Sequence, residues 1–412
     1  MTAEVAESLF WIVLAAACAP LIAAAVPRRL VPEVVLLLIA GIIIGPFGLD
    51  IASITPEIDM LQELGLGLLF LLAGYELDQR ELVGPGGRRA FLTWLCCLGL
   101  AFAVTFGLAQ VITIRAEVAT AIAVTSTALG TLLPILTERG LLETRMGQTI
   151  LNHGAIGELC PVVAMAILLG ARGAAGSLLV LALFALAAIV VAIVPRRIGR
   201  PESRAMATIR RGTDTTAQTQ VRLTILLLVG LIALAAAFEL DIIIAAFAAG
   251  FILRRLMPGG DENLETKLGG LAFGLLVPVF FVTSGMNIDV EAVVGRPGLL
   301  ILAVVVLLLV RGVPVFVATR FERNDDGERA FDRRERGQIA LYATTGLPLI
   351  VAVTTVAVDA GPMTPGNASV LVTAGVLTVL FLPLSALLLG RGEIERPVPR
   401  DEMIRRRTPP AS

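Results

Sequence analysis

Two charged residues lie deep inside apolar stretches of this chain, where an unsolvated charge is costly and marks a candidate site. Glu158 stands in the middle of His153-Gly154-Ala155-Ile156-Gly157-Glu158-Leu159-Cys160-Pro161, and Arg311 in Leu308-Leu309-Val310-Arg311-Gly312-Val313-Pro314. A carboxylate so placed can hold a proton or a dehydrated monovalent cation, one at a time. A guanidinium keeps its proton, so it serves only as a fixed charge. Opposite charges lower each other's cost of burial, and Arg311 is therefore expected as the charge partner of Glu158. The same pair would also serve as a purely structural salt bridge.

A third element is the run Thr125-Ser126-Thr127, loosely echoed by Thr344-Thr345-Gly346 ahead of Pro348. Hydroxyls in membrane helices often bond back to a carbonyl one turn earlier. At equivalent places in two halves, beside Gly or Pro, they also mark helices broken at the midplane, whose free carbonyls can coordinate a small cation. Thr125, Ser126, Thr127, Thr344 and Thr345 are thus candidate ligands around Glu158. His153 is the single histidine. It lies five positions before Glu158, off that residue's helical face, and reads as a core residue with pH modulation as its functional alternative. Glu33, Asp50, Glu63, Asp78, Glu239, Asp241, Asp289 and Asp359 fall near run ends or in turns and read as caps. Cys18, Cys96, Cys97 and Cys160 lie within apolar runs and read as small hydrophobes.

Apolar runs long enough to cross a bilayer must position these groups. Hydrophobic residues make up 56% of the 412-residue chain and the mean hydropathy is +0.87, which excludes an ordinary soluble domain. Thirteen runs qualify, near 9–26, 33–49, 57–76, 89–112, 116–138, 146–169, 174–195, 221–238, 240–256, 264–284, 296–319, 336–358 and 367–389. Glu4 and Glu7 precede the first run, where a cleaved signal would be basic. Arginine is concentrated in alternate loops, which predicts an external N-terminus and a cytoplasmic C-terminus. Residues 40–78 return in altered form: Ala40-Gly41 and Gly74-Tyr75-Glu76-Leu77-Asp78 are echoed by Ala249-Gly250 and Gly285-Met286-Asn287-Ile288-Asp289. The two copies lie seven crossings apart, and an odd separation makes the second copy upside down. The predicted fold is therefore an all-α integral membrane protein, with about 13 transmembrane helices, an inverted repeat and crossed broken helices. With no nucleotide fingerprint and no metal-ligand cluster, neither a cofactor nor a nucleic-acid partner is expected.

Taken together, the chain resembles the monovalent cation/proton antiporter superfamily, in particular its bacterial thirteen-helix branch. The resemblance rests on Val31-Pro32-Glu33-Val34 with Ala40-Gly41 and Gly45-Pro46, on Leu71 to Asp78, on the Thr-Ser-Thr run, on Phe280-Phe281-Val282 to Asp289, and on a basic residue at Arg311. It implies proton exchange for Na⁺ or K⁺ in the cell membrane, by an elevator-like movement within a homodimer. It also implies scaffold helices 1–3 in residues 1–88 and 8–10 in 223–290. Core helices 4–6 would occupy 89–170 and core helices 11–13 would occupy 291–390. Helix 7 with a cytoplasmic loop would link them over 171–222, and 391–412 would be a cytoplasmic tail. Gly157-Glu158 stands where the family carries an acidic pair, or Asn or Gln followed by Asp. Arg311 stands where many electrogenic relatives carry lysine. With one carboxylate at that place, electroneutral exchange is expected. Two rival readings are a sodium-coupled organic-anion symporter, with Arg311 binding the substrate carboxylate, and a non-transporting membrane sensor.

Overall fold

A computed structural model describes residues 2–25, 31–76, 84–110, 116–129, 144–168, 218–238, 240–257, 260–324 and 327–390. It also describes scattered positions between 132 and 142 and at 182, 184 and 186. Most of the run 174–195, the linker 196–217, the tail 391–412, Asp78 and Glu239 lie outside the described residues.

What is described is helical. The helices are α1 (Ala3–Ala25), α2 (Glu33–Ile44), α3 (Pro56–Glu76), α4 (Pro85–Ala109), α5 (Glu117–Val124), α6 (Arg145–Leu168), α7 (Thr219–Ala237), α8 (Ile242–Leu256), α9 (Glu262–Met286), the short α10 (Val290–Val294), α11 (Pro297–Phe321), α12 (Arg333–Ala343), α13 (Leu347–Asp359) and α14 (Pro365–Leu389). Among the described residues, nine helical stretches are long and apolar enough to cross a membrane, with α12 and α13 forming one such stretch. Many of their large apolar side chains point outward, such as Phe10, Leu21, Leu226, Ile301 and Leu388. Such a surface suits lipid and not water.

The repeated glycines have a packing role. A Cβ on Gly41 of α2 would fall on the Val282 carbonyl of α9 and lie 2.9 Å from Gly285 Cα. A Cβ on Gly250 of α8 would fall on the Leu71 carbonyl of α3 and lie 2.7 Å from Tyr75 N. Each copy's opening glycine thus packs near the closing glycine of the other copy, Gly285 or Gly74. Small residues let the two backbones touch, the usual way for helices to associate where lipid competes with apolar side chains. Around this pair α7 packs on α8 and α1 on α2. A second set of contacts joins α4 to α5 and α6, α12 to α6, α13 to α5, and α11, α12 and α13 to α14.

Two helices widen before a proline. In α9 the Val277 N–H donates to the Ala272 carbonyl, five residues back, just ahead of Pro278; in α11 Val313 does the same to Leu308, ahead of Pro314. Proline brings no N–H and its ring crowds the carbonyl four residues earlier, and a π-turn relieves both. Arg311 sits in the second of these turns and is fully buried.

Candidate functional site

The site is built where two helices stop short. α5 ends at Val124, and α12 ends at Ala343 before α13 restarts at Leu347. Hydroxyls close both ends locally: Thr125 Oγ1 donates to the Ile122 carbonyl and Ser126 Oγ to that of Ala123. Thr344 and Thr345 do likewise to Ala340 and Tyr342. The two interrupted segments then bond to each other. Ala128 N donates to the Thr345 carbonyl at 2.7 Å, Ser126 Oγ to the Gly346 carbonyl at 3.3 Å, and Thr127 Oγ1 to the Ala343 carbonyl. Thr127 N also reaches the Gly157 carbonyl of α6 at 2.8 Å. The approach is close enough that a Cβ on Gly346 would lie 2.7 Å from the Ser126 carbonyl oxygen.

Arg311 holds this junction from one side. Its Nη2 donates to the His153 carbonyl at 2.7 Å, and its Nε donates to Thr127 Oγ1 at 3.0 Å and the Ala343 carbonyl at 3.3 Å. Its Nη1 lies 3.8 Å from Cys97 Sγ. All four partners are uncharged. The compensation comes from the C-terminal ends of α5 and α12, each of which carries about half a negative charge. Gly157 makes room: a Cβ there would collide with Arg311 Nη2 and lie 2.6 Å from Thr127 Oγ1.

The expected ion pair between Glu158 and Arg311 is therefore not formed. Glu158 follows Gly157 by one residue, about 100° round the helix, and leaves α6 on a different face. Its carboxylate takes the backbone N–H of Leu129, where helical backbone resumes after the first break. Its Oε2 is buried with no hydrogen-bond partner, and the residue is 7% exposed. Cation and carboxylate thus separate along the broken helices, the guanidinium at their negative ends and Glu158 toward the positive ends of the segments that follow. Attraction between opposite charges predicted a pair, but the half-helix dipoles satisfy the arginine without one.

Glu158 lines a cavity of about 120 Å³ whose other walls come from α2, α3, α9 and the start of α13, with Phe70, Phe281 and Pro348 among them. Glu33 and Glu76 line it too. Glu33, expected as a cap, makes none, because Pro32 holds that place; Glu76 is a lining residue that its position in the sequence does not single out. A hint was present in the repeated motif that contains Glu76. The other acids divide. Asp241 and Asp289 are N-caps, accepting from Ile243 N and Ala292 N at 2.9 Å. None of Thr125, Ser126, Thr127, Thr344 and Thr345 lines the cavity; all five are buried behind it, at the junction. His153 is buried with its Nδ1 unpartnered. The cysteines are free, with Cys97 and Cys160 buried and Cys96 exposed. Outside the spans, Glu322 accepts from Thr149 Oγ1 at 3.3 Å, and burial pushes its carboxyl above the usual range, against the pull of Arg89 and Arg145.

A family described as "Sodium/hydrogen exchanger, transmembrane" matches residues 13–389. A Bacillus subtilis (strain 168) protein named for Na(+)/H(+) antiport, YjbQ, is 24% identical over 372 residues, 86% of this chain and 58% of that protein. The glutathione-regulated potassium-efflux system protein KefC of Salmonella heidelberg (strain SL476) is 28% identical over 369 residues, 86% of this chain and 56% of KefC. The chain thus spans a little over half the length of these relatives. The structure of MjNhaP1, a sodium proton antiporter from Methanocaldococcus jannaschii at pH 8, superposes with a TM-score of 0.65 at 20% identity. It covers 94% of this chain and 100% of that one, a likeness of fold.

Proposed function

The chain belongs to the sodium/hydrogen exchanger transmembrane family, and on that premise we propose that this multi-pass membrane protein exchanges protons for Na⁺ or K⁺ at Glu158. The observation that carries this reading is the Glu158 carboxylate, almost fully buried, with one oxygen unpartnered, facing a cavity beside the junction of two broken helices. A buried carboxylate without a counter-ion must be neutralised by something that arrives. A proton and a dehydrated cation do this equally well and exclude each other, and either form allows the site to move through the membrane. Competition at one group is sufficient for coupling. Carbonyls freed at the junction, and the hydroxyl oxygens of Thr125, Ser126, Thr127, Thr344 and Thr345, complete the shell when the junction loosens around a cation. Glu33 and Glu76 give the cavity a negative mouth that attracts cations.

The finer architecture is part of the same proposal. Thirteen crossings place the N-terminus outside and the C-terminus in the cytoplasm. The reciprocal packing of Gly41 on α9 and Gly250 on α3 supports an inverted repeat. Helices α1–α3 and α7–α9 act as a dimerising scaffold, against which α4–α6 and α11–α14 shift as an elevator-like core. Exchange is one cation for one proton, because among the described residues Glu158 is the one carboxylate of the cavity that is almost fully buried, whereas Arg311 cannot release a proton. The organic-anion reading is not favoured, since the Arg311 guanidinium is fully buried, donates to the His153 and Ala343 carbonyls and to Thr127, and does not line the Glu158 cavity. Proteoliposomes holding a pH-sensitive dye, challenged with Na⁺, K⁺, Li⁺ and then organic anions, test the proposal. Alkali cations should move protons and organic anions should not; proton movement driven by organic anions alone would overturn the reading.

A further inference from the structure

A second cavity, of about 270 Å³, lies among α4, α5, α11 and α14 and shares no lining residue with the one that holds Glu158. Its walls are mostly apolar, with Leu108, Val124, Leu302, Val306, Val370 and Leu371 among them, beside Thr105 and Thr120. At its rim stands Arg296, exposed at the N-cap of α11, beside Asn367 in the first turn of α14. The Arg296 side chain donates to Asn367 Oδ1 at 3.5 Å, the outer limit of a hydrogen bond, and among the described residues it has no other hydrogen-bond partner.

An apolar slot with one uncommitted guanidinium at its lip has the chemistry of an amphiphile site. Alkyl chain fills the slot, and a phosphate ester can take the guanidinium's parallel N–H donors. A free inorganic phosphate would leave the slot empty, and a lipid without net charge would answer the cation less well. We propose that this crevice binds an anionic phospholipid, one acyl chain lying along α11 and α14 and its phosphate paired with Arg296. On the topology proposed above it belongs to the outer leaflet. Val124, the last helical residue before the α5 break, lines the slot. A bound chain therefore braces the half-helix whose end carries the ion site.

The test uses the full chain in detergent, with native mass spectrometry and thermal melting. Palmitoyl-oleoyl phosphatidylglycerol is compared with the phosphatidylcholine of the same chains and with inorganic phosphate. Phosphatidylglycerol should be retained in preference to phosphatidylcholine and should raise the melting temperature, while phosphate alone should do neither. Arg296→Gln, a change at an exposed position, should weaken phosphatidylglycerol retention about five-fold, the factor expected for one cation near an anionic headgroup, and leave phosphatidylcholine unchanged. Ala303→Phe, which fills the slot, should reduce retention of both lipids. Equal retention of the two lipids by the unaltered protein, an unchanged preference in Arg296→Gln, or full retention in Ala303→Phe would each overturn the assignment. None of these readouts depends on Glu158, so this inference and the exchange reading stand or fall separately.

Discussion

Gly157→Ala should destabilise the protein through Arg311 and not through the helix that carries it. Alanine favours a helix over glycine by up to ~1 kcal/mol, so propensity alone predicts a gain. The structure predicts the reverse, because the new Cβ would collide with Arg311 Nη2 and lie 2.6 Å from Thr127 Oγ1. Overpacking of this kind costs about 1–3 kcal/mol. If the guanidinium withdraws instead, it gives up its charged hydrogen bonds to the His153 carbonyl and Thr127, each worth about 1.5–3 kcal/mol. The net loss should be on the order of 2–5 kcal/mol, visible as a lower melting temperature. A double-mutant cycle with Arg311→Met isolates the cause. In the methionine background, whose flexible thioether can yield, only the contact with Thr127 remains, and Gly157→Ala should cost about 1–2 kcal/mol less than in the parent. A Gly157→Ala protein that melts like the parent, or one that loses the same amount in both backgrounds, would refute the reasoning.

Other consequences follow from the same contacts. Gly41→Ala and Gly250→Ala each place a methyl on a facing backbone carbonyl. Each should lower stability by about 1–3 kcal/mol, whereas Gly230→Ala in α7, with open space around it, should be neutral or stabilising; equal effects at all three sites would rule out the close-packing account. Because burial raises the Glu322 carboxyl above its usual 4.5, the folded protein binds that proton more tightly than the unfolded chain does. That contribution is greatest at low pH and is lost as pH rises above 4.5. Glu322→Gln should therefore gain on the parent in melting temperature between pH 5 and pH 8, and a constant difference across that range would contradict the shift.

Much of this was legible in the chain because lipid imposes long apolar runs, and a charge inside one stands out. Glu158 and Arg311 were visible for that reason, and the breaks were visible as Thr-Ser-Thr and Thr-Thr-Gly beside Pro348. The repeated glycines pointed to duplicated packing, although not to which helices meet. What escaped was direction. Charge attraction suggested that Arg311 reaches Glu158, but helix ends are also charges, and no residue type reports them. Gly157 read as a lost polar partner, whereas the space belongs to a guanidinium contributed from 154 positions away. Glu33 lies at a helix start and looks like a cap; only the assembled bundle turns it, with Glu76, toward the Glu158 cavity. The hydroxyls showed the opposite tension, since four of them follow the local rule of bonding back to their own helix and Thr127 alone reaches Arg311.

The central claim is that one titrating carboxylate couples the two ions, and the most direct test compares the parent with Glu158→Gln in proteoliposomes of matched protein content and confirmed fold. Glutamine keeps the shape and still accepts from Leu129 N, but it neither titrates nor attracts a cation. Cation-driven proton flux should fall to the level of empty vesicles in Glu158→Gln and persist with altered ion preference in Glu158→Asp. Full exchange by Glu158→Gln would contradict the account and transfer the coupling role to another group, with Glu76 and His153 the first to examine.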